Sequence, residues 1–326
     1  MKKIKNKKMP IWKMVVIDIS LIIASLCVFA LFHHVLPMTR QSEDLVVDRS
    51  SDKNNIVEKS TNESDNVSWS EKFKDYFSDT VVSTENTYKS SNISITVDKK
   101  TQGSGSSLVT YYVADIYVSD IECFKTYFAE DTYGSGYRES VLSMDNDTNA
   151  LIAINGDYYG NQNNSLVIRN GTVYKSDNTN SDTCILYYDG TMKTYSPGEV
   201  DIDEVIEDGA YQGWTFGPML LDNNGKSLTL FNTSHRLESE NPRTGIGYYE
   251  PGHYCMVVVD GRSEGYSKGV TLSEMSDMFE ELGCKSAYNL DGGKSSAMTF
   301  NNGIVNQPVD GGRTVSDCLT IQEVDK

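Results

Sequence analysis

Short apolar runs that alternate with polar residues recur along this chain, separated by turns rich in Gly, Asp and Asn. Residues 93–97 and 108–118 alternate in this way, and Gly103-Ser104-Gly105 lies between them, which is the pattern of a β-hairpin. Similar runs predict further strands at residues 151–154, 166–168, 184–188, 255–259, 286–290, 297–300 and 318–321. So many short strands restrict the chain to a fold built around sheets.

Only two segments predict helices in this part of the chain. The stronger one begins at a capping box formed by Thr271 and Glu274 and ends at Gly283, and a weaker one covers residues 201–207. The stronger helix lies between two predicted strands, so residues 257–290 should form a β-α-β crossover. We therefore expect an α+β fold, a strand-rich mixed sheet domain with a few helices, over residues 84–326.

The amino terminus carries a nearly continuous apolar run at residues 15–36, about the length that crosses a bilayer as a helix. Six lysines precede it, which predicts a cytoplasmic basic segment at 1–13 and a transmembrane signal anchor at 14–36. A cleaved signal peptide, with Val28-Phe29-Ala30 as its cleavage site, is the alternative. The prediction is a single-pass protein of the cell membrane, with its domain outside the cell.

Residues 37–83 are rich in Ser, Asp, Asn, Glu and Lys, which is typical of a disordered stalk. A short amphipathic stretch at residues 69–77 either belongs to this stalk or caps the domain.

The chain is strongly acidic, with a formal net charge of −17. Removing the six lysines and one aspartate of residues 1–37 leaves 23 basic and 45 acidic residues. A surface of this charge repels nucleic acid, so an anionic substrate must be held by local cations or backbone N–H groups.

Five cysteines lie beyond the apolar run, an odd number with no Cys-x-x-Cys pair. This spacing argues against a zinc knuckle and against a complete disulfide framework. Cys184, Cys255 and Cys318 each precede apolar residues, so buried free thiols are the favoured interpretation.

Three turns near the carboxyl end share a pattern of aspartate, glycine and a final cation. They are the Asp291 turn (Asp291-Gly292-Gly293-Lys294), the Asp310 turn (Asp310-Gly311-Gly312-Arg313) and the Asp260 turn (Asp260-Gly261-Arg262). Glycine-rich turns can direct several backbone N–H groups at one anion, and the final cation adds positive charge. The turns either converge on one phosphate-binding site or are ordinary hairpin turns.

Six motifs in a fixed order include these turns. They are Ala-Ile-Asn-Gly-Asp-Tyr-Tyr at 153–159, Thr-Phe-Gly-Pro-Met-Leu at 215–220, Asn-Pro-Arg-Thr-Gly-Ile-Gly at 241–247, Val-Val-Val-Asp-Gly-Arg at 257–262, Asn-Leu-Asp-Gly-Gly-Lys-Ser-Ser-Ala-Met at 289–298 and Arg-Thr-Val-Ser-Asp at 313–317. Over residues 84–324 this set resembles the phosphodiester glycosidase family, which includes N-acetylglucosamine-1-phosphodiester α-N-acetylglucosaminidases and a bacterial exopolysaccharide-related branch. Lys294 departs from the family pattern, which has a third glycine there.

The resemblance implies an extracytoplasmic hydrolase that cleaves the glycosyl–phosphate bond of a sugar-1-phosphodiester in a cell-surface polysaccharide. Glycoside cleavage normally uses two carboxylates, and the candidates are Asp157, Asp260 and Asp291. A phosphodiester is already a weakly basic leaving group, so cations that stabilise its charge should matter more than a proton donor.

The remaining candidates would bind the substrate. Arg243, Arg262 and Arg313 are suited to hold phosphate oxygens through two parallel hydrogen bonds, and Lys294 is either a further phosphate ligand or a sign of a different substrate. Tyr158 and Tyr159 either stack on a sugar or belong to the core. The other candidates are polar residues that would hydrogen-bond sugar hydroxyls or orient the carboxylates, namely Asn155, Asn289, Ser295 and Ser296, and the turn glycines Gly292 and Gly293.

Two other functions stay open from the sequence. One is a metal-dependent phosphodiesterase that cleaves the P–O bond, and the other is a non-catalytic surface module that binds polysaccharide. No histidine pair has the spacing of a metal site, and no cofactor is certain, but aspartate oxygens leave a Ca²⁺ or Mg²⁺ site open.

Overall fold

The computed structural model of the chain describes residues 11–30, 41–42, 47–48, 67–162 and 165–324. Residues 11–30 form one helix, and the described residues from 41 onward belong to a second, compact unit. Within these ranges, no helix is both long and apolar enough to cross a membrane. The predicted span at 14–36 coincides with the helix as far as residue 30, and its last six residues lie outside the described part. The membrane anchor stays a prediction.

The described residues contain six α-helices and twenty strands. The helices are α1 Ile11–Ala30, α2 Trp69–Lys72, α3 Val141–Thr148, α4 Ile202–Glu207, α5 His235–Glu238 and α6 Leu272–Glu281. The strands are β1 Gln41–Ser42, β2 Val47–Asp48, β3 Val82–Ser83, β4 Thr87–Lys89, β5 Ile93–Gln102, β6 Val109–Val118, β7 Phe124–Phe128, β8 Gly134–Ser135, β9 Ile152–Asn155, β10 Leu166–Arg169, β11 Thr172–Ser176, β12 Thr183–Tyr187, β13 Met192–Tyr195, β14 Ala210–Trp214, β15 Arg243–Glu250, β16 His253–Val259, β17 Ser286–Asn289, β18 Met298–Phe300, β19 Gly303–Ile304 and β20 Asp317–Ile321. This strand-rich composition confirms the α+β prediction.

The largest sheet has seven strands in the order β17-β15-β16-β6-β5-β4-β3. The hairpin predicted at residues 93–118 is its β5–β6 pair, in register from Ile93–Val118 to Gln102–Val109. Strands β16 and β17 both pair antiparallel with β15, so they run parallel to each other, and α6 connects them. The predicted β-α-β crossover is therefore confirmed.

Strand β16 is buried on both faces, and its side chains alternate between two parts of the core. Tyr254, Met256 and Val258 pack in the main core, whereas the residues between them pack in a second cluster with the apolar face of α6. Beside them, β15 has Gly247, where a Cβ atom would lie 2.7 Å from the Sγ of Cys255. The missing side chain lets α6 approach the sheet.

Two smaller sheets complete the core. The five-stranded sheet has the order β19-β18-β9-β20-β7, and the six-stranded sheet has the order β13-β12-β14-β10-β11-β2. Side chains from both sheets and from the seven-stranded sheet share the main core. Strands β9 and β17 end at Asn155 and Asn289, which places the motif residues that follow them at neighbouring sheet ends.

The folded domain begins before the predicted boundary at residue 84. Helix α2 and the turn after it pack on the domain, where the Phe73 ring is buried edge-on against Tyr117, 5.2 Å between centroids. Strand β3 joins the seven-stranded sheet, and β1 and β2 pair with β8 and β11. The stretch at 69–77 thus caps the domain, because its apolar side chains cover the end of the sheet.

The prediction of buried free thiols is confirmed for the cysteines beyond the apolar run. Cys123, Cys184, Cys255, Cys284 and Cys318 are all free and buried. Cys255 and Cys284 approach each other most closely, with 3.6 Å between their sulfur atoms.

Candidate active site

The three Asp-Gly turns converge, as one of the two sequence interpretations required. Arg313 of the Asp310 turn donates a hydrogen bond of 2.6 Å to the Asp291 carboxylate. The Arg262 guanidinium of the Asp260 turn lies beside the second glycine of the Asp291 turn. The turns therefore bring cations and a carboxylate to one place at the ends of the sheets.

Asp291 is the most exposed of the three candidate carboxylates, at 8% against 0% for Asp157 and 1% for Asp260. Its Oδ2 accepts hydrogen bonds from Ser295 Oγ at 2.5 Å and from Arg313 Nη2 at 2.6 Å. The Arg313 Nε also donates to Ser295 Oγ, so the three side chains form a closed triangle that fixes the carboxylate. Charge-assisted hydrogen bonds of this kind are short and directional.

Arg243 and Arg262 form a second cationic group. Arg243 is buried and donates to three backbone carbonyls, those of Leu237, Ser239 and Val270. Burial, together with the positive charge of Arg262, lowers the pKa of Arg243 to about 10. Arg262 is exposed and donates to the Asn241 side-chain oxygen. Within the described ranges neither guanidinium pairs with a carboxylate, which leaves their charge available to an anion.

Asp157 lies in a buried ion network and does not face an open surface. Arg169 Nη2 lies 2.9 Å from both the Asp157 and the Asp317 carboxylates, and all three side chains are almost completely buried. Asp157 also accepts hydrogen bonds from the backbone N–H groups of Tyr159 and Thr215. Because every partner is internal, the structure gives Asp157 a structural place and does not support the predicted catalytic role.

The charged groups of this network shift each other's pKa values. Burial raises the pKa of Asp317, and the Asp157 charge adds to that effect, whereas Arg169 opposes it. Burial alone would lower the pKa of Arg169, but the two carboxylates outweigh it and raise that pKa. Arg169 therefore stays charged and neutralises one of the two carboxylates.

Asp260 is likewise held by internal donors. Its carboxylate accepts hydrogen bonds from the Tyr266 hydroxyl, the Asn306 amide and the Gln307 backbone N–H. The Asn306 amide also donates to the Ser296 carbonyl, which ties the Asp260 turn to the Asp291 turn. Asp260 thus positions the two turns, and the catalytic role predicted for it is not supported.

The candidate asparagines are also buried. The Asn155 amide donates to the Asp291 carbonyl at 2.7 Å, and its oxygen accepts from Thr244. The Asn289 amide donates to the Gly217 carbonyl. Both residues brace the turns from beneath, and Asn155 holds the backbone of Asp291, which fits the expectation that such residues orient the carboxylates. A hydrogen bond from either residue to a sugar hydroxyl stays a prediction.

The backbone N–H groups of the two glycines in the Asp291 turn donate hydrogen bonds within the protein. Gly292 N–H donates to the Asp291 side chain, Gly293 N–H to the Pro242 carbonyl, and Ser295 N–H to the Gly292 carbonyl. The predicted cradle of free N–H groups is therefore not formed by these glycines. Side-chain cations supply the positive charge of the site.

The last two turn candidates differ in exposure. The Lys294 Nζ lies 2.5 Å from the Asp310 carboxylate, and both side chains are open to solvent. The pair links the Asp291 turn to the Asp310 turn. Ser296 is buried, and its hydroxyl has no hydrogen-bond partner in the described part of the chain.

Two arginines at or near the site were not among the residues predicted from the sequence. Arg169 and Arg138 lie outside the six motifs, yet Arg169 binds two motif aspartates and the Arg138 guanidinium lies 5.2 Å from the centre of the Tyr158 ring. A search for arginines that follow apolar strands would have found Arg169, which ends β10. Among the described residues, no group of three or more His, Cys, Asp or Glu side chains could hold a metal ion.

The buried network gives a stability prediction. Replacing Arg169 with Met leaves two carboxylates in the interior without a cation, and loss of one partner of a buried ion pair costs about 3–5 kcal/mol. We expect Arg169→Met to lower the free energy of unfolding by at least this amount, measured by urea denaturation. Lys226→Met, which breaks an exposed pair with Glu280, is the control and should leave the free energy of unfolding close to that of the parent protein. Equal losses in the two variants would contradict the central place of the network.

Comparison with known proteins identifies the family of the chain. Residues 148–322 match the model of the phosphodiester glycosidase family. The SPbeta prophage-derived uncharacterized protein YomE of Bacillus subtilis (strain 168) is 33% identical over 236 residues, which cover 70% of this chain and 36% of YomE. The chain thus spans about a third of the length of that relative.

Two solved structures share the fold. One is the zebrafish N-acetylglucosamine-1-phosphodiester alpha-N-acetylglucosaminidase catalytic domain, auto-inhibited by its pro-peptide, with a TM-score of 0.58 and 18% identity over 71% of this chain and 84% of that one. The other is a Burkholderia pseudomallei K96243 protein, with a TM-score of 0.51 and 14% identity over 66% of this chain and 74% of that one. The family match covers more than half of the sequence and includes all three Asp-Gly turns, and we conclude that this chain belongs to the phosphodiester glycosidase family.

Proposed function

We propose that the protein hydrolyses the bond between the anomeric carbon of a sugar and the phosphate of a glycosyl phosphodiester. The observation that carries this proposal is the combination of one solvent-reachable carboxylate, Asp291, with the unneutralised guanidiniums of Arg243 and Arg262. A carboxylate beside a phosphate-binding cation is what such a cleavage needs. Membership of the phosphodiester glycosidase family supports the same reaction class.

In this proposal the cations bind the phosphate and stabilise the charge that develops on it. Arg262 is exposed and reaches the phosphate directly, whereas Arg243 is buried and acts through its field. As the C–O bond breaks, its electron pair moves to the phosphate oxygen. A positive group placed there before the reaction lowers the barrier without a proton donor.

Asp291 acts at the anomeric carbon, the other atom of the bond that breaks. It either takes a proton from the water that attacks the anomeric carbon or attacks that carbon itself. Arg313 and Ser295 hold the carboxylate in one orientation, which either role requires. Asp157 and Asp260 position the surrounding turns and are not assigned a step.

We also propose that the enzyme works outside the cell on a cell-surface polysaccharide, attached to the membrane through residues 14–36. The apolar run and the six lysines before it support this placement. Protease added to intact cells should then remove the domain and leave a short protected fragment. Resistance of the domain in intact cells, with digestion after lysis, would contradict the placement.

Replacing Asp291 with Asn tests the reaction and the residue together. The change keeps the shape and removes the charge, so we expect kcat to fall by about two or more orders of magnitude. The assay is mass spectrometry of products from a panel of sugar-1-phosphodiesters that includes an N-acetylglucosamine-1-phospho-sugar. The melting temperature should change by only a few degrees.

The matched control is Asp115→Asn, which removes a half-buried carboxylate on β6 that lies 2.7 Å from the His253 Nε2 of β16. It should leave kcat within about twofold of the parent protein. Full activity in Asp291→Asn would refute the role of Asp291. Binding of the phosphodiesters by the parent protein without turnover of any would favour the non-catalytic surface module instead.

A further inference from the structure

Arg138 lies outside the six sequence motifs and adds a positive charge beside the site. Its guanidinium lies 5.2 Å from the centre of the Tyr158 ring, and the Arg313 guanidinium lies 5.3 Å from the same ring. Arg138 also donates a hydrogen bond to the Ser316 hydroxyl. A continuous series of contacts therefore runs from Asp291 through Arg313 and Tyr158 to Arg138.

The two arginines of this series differ in whether a carboxylate neutralises their charge. Arg313 is neutralised by Asp291, whereas no carboxylate forms an ion pair with Arg138 in the part of the chain that the structure describes. The positive charge of Arg138 acts to lower the pKa of Asp317, but that carboxylate is already paired with Arg169. In a chain with 46 acidic and 29 basic residues, it is unusual that a half-buried arginine forms no ion pair among the described residues.

Tyr158 is held in a strained conformation at this point. Its φ of 66° lies in the left-handed region, which a non-glycine residue adopts at a cost of about 1 kcal/mol or more. The residues on either side, Asp157 and Tyr159, are both buried, so the backbone cannot relax without disturbing the core. Strain that persists in this way commonly marks a ligand-binding position.

We propose that Arg138 and Tyr158 form a second anion subsite, which binds a second phosphate group of the substrate while the scissile phosphate lies at Arg262 and Arg243. This inference rests on the proposed function and extends it by naming the substrate class. The substrate is then a polymer with sugar–phosphate repeats, in which a neighbouring repeat supplies the second phosphate. The Arg138 guanidinium provides paired donors to phosphate oxygens, and the Tyr158 ring holds that guanidinium near Arg313.

Two synthetic substrates test this inference. One is methyl N-acetylglucosamine-1-phosphate, with one phosphodiester, and the other carries two consecutive sugar–phosphate repeats. We expect the parent protein to hydrolyse the second with a kcat/KM at least about tenfold higher, since a charge-assisted hydrogen bond contributes on that scale. A third substrate, with a carboxylate in place of the second phosphate, distinguishes the two kinds of anion.

Arg138→Gln should remove most of that preference, chiefly by raising KM for the two-repeat substrate, and should change kcat/KM for the single phosphodiester by less than about threefold. Arg138→Lys should keep part of the preference, because it retains the charge and loses the fork. The melting temperature separates binding from folding. Lys226→Gln, at an exposed lysine paired with Glu280, is the matched control and should change neither rate.

Several results would overturn the inference. They are an equal rate on both substrates by the parent protein, an equal loss on both in Arg138→Gln, or a carboxylate substrate preferred over the two-phosphate one. A large fall in melting temperature in both Arg138 variants would assign Arg138 to the support of Ser316 and Asp317 instead. Equal turnover of the single phosphodiester and the two-repeat substrate would leave the proposed function intact and refute only the second subsite. No turnover of any of the three substrates would refute the proposed function itself.

Discussion

The network of Asp157, Arg169 and Asp317 is the interaction on which the site depends. Arg169 ends β10 in the six-stranded sheet, Asp317 begins β20 in the five-stranded sheet, and Asp157 follows β9 in that same sheet. Their ion pairs of 2.9 Å therefore join two sheets directly beneath the turns. Arg169 adds a hydrogen bond to the Gly213 carbonyl of β14, which secures the six-stranded side of the junction.

This buried junction sets the positions of the surface residues that follow it in the chain. Tyr158 comes directly after Asp157, and Ser316, which accepts a hydrogen bond from Arg138, comes directly before Asp317. Gly156 is required here, because a Cβ atom at that position would lie 2.0 Å from the Asp317 carboxylate oxygen. A buried junction of two carboxylates and one guanidinium thus supports a surface on which the cations outnumber the carboxylates. That contrast is how a strongly acidic protein presents a local site for anions.

The sequence predicted the elements of the fold better than the side-chain roles within the site. Alternation identified β5 and β6, a continuous apolar run identified β16, and a capping box identified α6, because these signals are local. Strand β15 was missed because Gly245 and Gly247 lower its strand propensity. Both glycines are there to let α6 approach, a tertiary requirement that no local pattern reveals.

The motif residues show a similar division. Convergence of the Asp-Gly turns was one of two interpretations that the sequence left open. Residue type alone could not separate Asp291 from Asp157 and Asp260, since that distinction depends on burial and partners. Arg169 and Arg138 were missed because each lies in another part of the chain and joins the site only after folding. The arginine contacts of the site are long-range, and only the three-dimensional arrangement identifies them.

Hydrolysis in water labelled with ¹⁸O shows which bond of the phosphodiester breaks. We expect the label on the anomeric hydroxyl of the released sugar, since cleavage occurs between carbon and oxygen and the phosphate keeps its own oxygens. Mass spectrometry of both products gives the answer from one reaction. Label on the phosphate, with an unlabelled sugar, would mean P–O cleavage and would contradict the account.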